Sequence, residues 1–157
     1  MGRSDQQKRS TCPISFALEI FGDRWTLLVL RDLLLKSRSR YRELLACEEG
    51  IATNVLADRL KRLEQKGLIR KELDAQDARQ YFYKPTRLAV SVVPMLIEMI
   101  VWGARNSRDT TVDRDLLRRF EKSGAVSRDE MKVTFVPGGK ARADAGAMVA
   151  TVELVRQ

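Results

Sequence analysis

Histidine is absent from this 157-residue chain. That removes the commonest general base and the commonest metal ligand. Without it, neither a Ser–His nor a Cys–His pair can activate a nucleophile. Cysteine occurs only at Cys12 and Cys47, too few for a disulfide scaffold or a four-thiolate zinc site. Neither a GxGxxG nor a P-loop pattern is present. An enzyme is therefore not expected, nor a metal or cofactor; carboxylates alone remain for acid–base work, and no pattern points to it. No apolar run approaches the roughly 18 residues that span a bilayer, so no membrane partner is expected. The opening MGRSDQQKRS lacks the apolar core of a secretory signal, which makes cytoplasmic residence the expectation.

What is present suits one folded domain with an appendage: 44% hydrophobic and 32% charged residues. Lys+Arg total 29 and Asp+Glu 21, a formal charge of +8. Residues 1–105 hold 19 basic and 13 acidic residues, so most of the excess lies in the first two thirds. Within it, Lys36, Arg38, Arg40 and Arg42 alternate along a short polar stretch. A phosphate-binding patch and a solvated loop both fit that pattern.

Residues 1–11 read as a flexible basic arm. Pro13 suits a first helical turn, and Ile14, Ala17, Leu18 and Phe21 fall on one helical face that ends at Gly22. Asp23 can cap a second helix, Arg24 to Leu35, apolar nearly all round and so central to the core. Residues 36–40 form a basic connector. A short helix over Tyr41–Ala46 and a longer one over about Ala52–Lys66, stopped by Gly67, come next. Two extended runs, 68–73 and 81–84, flank a polar loop and read as a hairpin. A last long helix is predicted from Arg87 to about Asn106, kinked at Pro94. Beyond it, Asp113–Lys122 suggests a short helix, and 132–136 and 150–155 suggest two strands around a Gly/Ala-rich loop.

The order is short helix, turn, longer helix, hairpin: a mainly α fold with a small β-hairpin, a winged helix-turn-helix. On a wheel of roughly 100° per residue, Leu56, Leu60 and Leu63 share one arc and must face the core. Asn54, Asp58, Lys61 and Gln65 lie opposite, flanked by Thr53 and Ala57. A DNA-reading helix places its N-terminal residues on base edges in the major groove. Asn54 could bridge adenine N6 and N7, and the Ala57 methyl could meet a thymine methyl. Asp58 could accept from cytosine N4, or pair with Arg62 one turn on. A solvated helix face is the alternative for the whole set. Phosphate candidates are Arg40, Arg42, Thr53, Arg62 and, at the wing tip, Arg79 with Gln80. With about three cationic contacts per protomer, a dimer would give a log–log salt slope near −5. Each arginine could equally sit in a surface ion pair.

The segments CPISFALEIFGDRWTLLVLRDLL, YRELL, EGIATNVLADRLKRLEQKGLI, DARQYFYKPT and VWGARN run almost continuously from Cys12 to Asn106. In this order they resemble the HxlR family of bacterial winged-helix transcriptional regulators, relatives of MarR. The resemblance implies a domain over 12–106, with Ala52–Lys66 as recognition helix and 68–84 as wing. It implies a homodimer on a palindromic operator in double-stranded DNA. Pro85 and Ala89 stand where the family often has leucine and glycine, which touches the wing exit and not the reading helix. The extension 107–157 is not covered, and its role is open.

The terminal helices are the expected dimer interface, with Ile14, Leu18, Val93, Leu96, Ile97, Ile100 and Val101 as its residues. The apolar arc after Arg87 is wider than one core contact needs, and a symmetric partner would bury it. Residues 107–157 folding back within one chain is the alternative. Repression is the default for a dimer obstructing a promoter; a winged-helix protein-interaction module that reads no DNA is the competing account. Cys12 sits at a helix N-cap near Lys8 and Arg9, where a thiolate is favoured. It is a candidate redox sensor for an electrophile or another small-molecule effector, a use some members of the resembling family make of a cysteine before this proline. An inert cysteine acting as a weak cap is the alternative. Cys47 is expected to be packing.

Overall fold

The computed structural model describes residues 11–74, 77, 79–109, 131–137 and 148–154, the last two ranges as backbone only. Helices α1 (Pro13–Phe21), α2 (Arg24–Leu35), α3 (Tyr41–Leu45) and α4 (Thr53–Gln65) lead into an antiparallel hairpin, β1 (Ile69–Leu73) with β2 (Tyr81–Pro85). Helices α5 (Arg87–Val90) and α6 (Val93–Asn106) follow. A second hairpin pairs β3 (Met131–Pro137) with β4 (Met148–Leu154), Met131 opposite Leu154. The two strands expected near the C-terminus are therefore present, each starting slightly earlier. The helix expected over Asp113–Lys122 lies outside the described residues, as does the arm before Thr11.

Local chemistry sets most boundaries. The Asp23 carboxylate accepts from the Thr26 N–H at 3.0 Å and its hydroxyl at 2.6 Å, capping α2. Burial opposes its charge, but the Thr26 bonds with Arg59 and Arg62 hold its pKa below the ordinary value. Gly67 ends α4 with φ +71°, the Leu68 N–H reaching the Leu63 carbonyl and the Gly67 N–H the Glu64 carbonyl. Gly22 is glycine for another reason: its φ is −71°, but a Cβ there would lie 2.3 Å from the Leu18 carbonyl oxygen.

Helix α2 is central, as expected, with Val29, Leu30, Leu33 and Leu34 buried. Around it pack Leu44 of α3, Leu56, Leu60 and Leu63 of α4, Leu68, Ile69 and Tyr83 from the hairpin, and the inward side of α5 and α6. The single long helix expected from Arg87 is two helices. Proline has no N–H for the Val90 carbonyl and its ring would strike it, so the chain breaks at Ser91–Val92 and Pro94 enters the first turn of α6. The stretch Arg87–Asn106 is also long and apolar enough to cross a membrane by length and composition, which the sequence reading missed because Glu98 interrupts it. In the fold its inward residues Ala89, Val92, Val93, Leu96, Ile97 and Val101 belong to the core.

No local pattern announces the polar lock beside that core. Asp32, 1% exposed on an otherwise apolar helix, accepts from Arg31 Nε at 2.8 Å and Arg38 Nη1 at 2.8 Å. Arg31 also grips both carboxylate oxygens of Glu49, ahead of α4. Its hydrogen bonds draw the Glu49 pKa down from 4.5 to about 2, while burial pulls slightly the other way. A depressed carboxylate pKa means stability present above pH 4.5 and lost as pH falls toward 2. Glu49→Gln is expected to flatten that part of the acid-unfolding profile; a profile superimposable on the parent would remove the pair from the acid response.

Candidate nucleic-acid interface

Helix α4 is the element that can enter a groove. Its leucines are buried, while Ala52, Thr53, Asn54, Ala57, Asp58, Lys61, Arg62 and Gln65 are exposed. The face deduced from the wheel is thus open to solvent, with Asn54 and Lys61 unobstructed by protein. Its N-terminal end is held by α3: the Tyr41 hydroxyl donates to the Thr53 carbonyl at 2.8 Å. Asp58 does not take Arg62 as its ion partner. Its carboxylate lies 3.6 Å from Arg59, which also faces Asp23 at 3.3 Å and so ties α4 to the start of α2. Arg62, at the flank of the outward face, lines a shallow depression with Glu19, Ile20 and Lys66.

The arginines divide into two kinds. Arg42 and Arg79 are exposed. Arg40, expected to face phosphate, is half-buried: Nη2 meets Asp74 Oδ2 at 2.9 Å, Nη1 donates to Gln80 Oε1 at 2.7 Å, and the guanidinium stacks 4.7 Å from the Phe82 ring. The start of α3 is occupied too, since Glu43 Oε2 accepts the N–H groups of Ser39 at 2.8 Å and Arg40 at 2.9 Å. At the wing tip the Asp77 carboxylate accepts from the Arg79 N–H and the Gln80 side chain, which lower its pKa. Lys71 stacks 3.9 Å from Tyr81, putting a cation and an exposed aromatic on the hairpin that sequence reasoning did not nominate. It also missed the edge contact that seats the wing: the connector forms a bridge, Arg40 to Phe82, with the Tyr83 N–H donating to the Ser39 carbonyl at 2.7 Å. Residues 36–40 carry no strand periodicity that would announce it.

Of the residues assigned to a dimer interface, Val93, Leu96, Ile97 and Val101 are buried within the protomer and Ile100 is half-buried. Ile14 and Leu18 are exposed, at 70% and 59%. The apolar side chains that α6 exposes are Met95, Met99 and Trp102. The reason is rotational: the helix is apolar on both sides, and the core around α2 takes the side carrying the branched residues. Cys12 is exposed at the N-cap of α1 without a side-chain cap bond, and Cys47 is half-buried against the core. Among the described residues no cluster of cysteines and carboxylates could hold a metal ion.

Comparison with known proteins agrees with this architecture. The regulator YybR of Bacillus subtilis is 25% identical over 121 residues, 77% of this chain and 90% of its own. The regulator sll1512 of Synechocystis is 32% identical over 93 residues, 59% of this chain and 68% of its own. Both carry names of HTH-type transcriptional regulators. The crystal structure of PA1607 superposes with a TM-score of 0.60 at 26% identity, covering 96% of this chain and 98% of that one. A MarR-family protein of Porphyromonas gingivalis W83 gives 0.56 at 32% identity, covering 68% of this chain and all of its own. The family model for the HxlR-like helix-turn-helix matches residues 20–111, more than half of the chain. With that match, its wing and its exposed α4, this protein belongs to the HxlR-like helix-turn-helix family and is a transcriptional regulator of the HTH type.

Proposed function

We propose that the protein represses transcription in the cytoplasm as a homodimer bound to a palindromic operator, α4 lying in the major groove and the β1–β2 wing against the flanking backbone. The observation that carries this is the amphipathic split of α4: leucines inward, and Asn54, Ala57, Asp58 and Lys61 outward and exposed. Thr53, Arg62, Arg42 and Arg79 frame that face with hydroxyl and cationic groups for phosphate. Arg40 and Gln80 serve the same surface by shaping it.

Dimer formation would cover apolar surface that lies exposed among the described residues. Ile14, Phe16 and Leu18 on α1 and Met95, Met99 and Trp102 on α6 are each at least a third exposed, and the α6 set falls at i, i+4, i+7 on one side. A second copy covering these helices would space two α4 helices by about 34 Å, one turn of duplex. This interface replaces the buried set named from the sequence. The domain over 12–106 carries these roles. The exposed Cys12 thiol at the start of α1 is where an electrophile would perturb the pair.

The test is a gel shift and footprint with DNA upstream of this gene. A complex of two protomers per site, with a protected inverted repeat, is expected. Sequence-blind binding would remove the reading role, and no binding would favour the interaction-module account. Arg79→Ala should weaken binding to every sequence and flatten the salt slope by about 1.8 for a dimer losing one contact per protomer. An unchanged slope would take the wing off the backbone.

A further inference from the structure

We propose that Arg40 is a positioning residue that sets the wing for DNA, acting through Arg79 and making no phosphate contact itself. This rests on the DNA-binding reading above. Among the described residues, the guanidinium is anchored by the Asp74 carboxylate where the wing loop leaves β1, the Gln80 side-chain oxygen where it enters β2, and the face of Phe82. Asp74 is itself 8% exposed and its N–H donates to the Gln80 carbonyl at 3.0 Å, so the base of the loop is closed around the arginine.

From there a hydrogen-bond relay runs outward. Gln80 takes Arg40 Nη1 on its oxygen and gives its nitrogen to Asp77 Oδ2 at 2.9 Å. Asp77 Oδ1 accepts the Arg79 backbone N–H at 3.0 Å. The arginine's backbone is pinned at the other end by the Arg40–Phe82 bridge and by Glu43. Arg40 thus joins the first turn of the helix-turn-helix to the wing tip in one continuous set of contacts. A phosphate would have to displace a carboxylate from a partly dry site to reach it, a poor exchange when exposed arginines stand nearby. A lysine could keep the charge but not the two-pronged grip.

The experiment uses the full-length protein with Arg40→Lys and Asp74→Asn, each alone and combined with Arg79→Ala, and measures operator affinity against salt. Arg40→Lys keeps the cation, yet it should weaken binding and flatten the salt slope by the same amount as Arg79→Ala. Asp74→Asn removes a negative charge near the interface, which by simple electrostatics would tighten binding; it should weaken it instead. In the Arg79→Ala background neither should have further effect, whereas a general loss of folded protein would lower affinity in both backgrounds alike. Wild-type affinity in Arg40→Lys, tighter binding by Asp74→Asn, or additive losses would each overturn the proposal. Hydrogen exchange without DNA separates its failure from that of the DNA-binding reading. The Asp74 and Gln80 amides should exchange faster in Arg40→Lys and Asp74→Asn but not in Arg79→Ala, and unchanged exchange would overturn it whatever the protein binds.

Discussion

Asp32→Ala is expected to lower stability by about 3 kcal/mol, near the lower end for removing one partner of a buried ionic cluster. The carboxylate is 1% exposed, while the arginine side chains it holds are 20% and 25% exposed. Water can therefore reach the stranded guanidinium groups and soften the loss. Arg31 would retain Glu49; Arg38 would lose the carboxylate it holds at 2.8 Å, and the connector it anchors would loosen. The loosened connector is the one that pairs with β2, so the wing should be affected before the leucine core. For a domain near 100 residues, such a loss lowers Tm by about 12 °C. Thermal unfolding followed by far-UV circular dichroism reads it. A drop below about 3 °C would mean that solvent already satisfies both arginines in the native state.

The second large effect concerns Asn54. It is exposed in the first turn of α4, the end of a reading helix that meets base edges. Its amide can donate and accept at once, which suits adenine. Asn54→Ala should cost about 1–3 kcal/mol per half-site on the operator, roughly fivefold to 150-fold in affinity for each, while non-specific binding stays near that of the parent. The neighbouring Thr53 stays in place, because its carbonyl is held by Tyr41 and not by Asn54. Titrations on operator and scrambled duplex at one salt concentration separate the two terms. Equal losses on both would make Asn54 a backbone contact and move base reading to Ala57, Asp58 or Lys61.

Both expectations show where linear reasoning reached and where it stopped. The buried leucines of α4, the Asp23 cap and the Gly67 stop were legible because each depends on residues within a turn or two of chain. The face opposite the leucines followed from the same 3.6-residue period. Arg40 and Arg42 looked equivalent, two basic residues in one alternating stretch. Their different placement depends on Asp74 and Gln80, 34 and 40 residues further along. Asp32 was hidden for a similar reason: on an apolar helix a carboxylate is tolerated only where distant cations converge, and no local pattern records Glu49 meeting Arg31.

The amino-acid order alone settled the kind of protein this is: repeat period, caps and turn glycines act over one or two turns of chain, and they write the helix pair and wing directly into the sequence. Tertiary packing decided which cations face solvent, which apolar side of α6 the core claims, and how the wing is fastened to the connector. Those outcomes are set by partners remote in sequence. For a charged or apolar side chain, the balance between water and neighbour is fixed only once the neighbour has arrived.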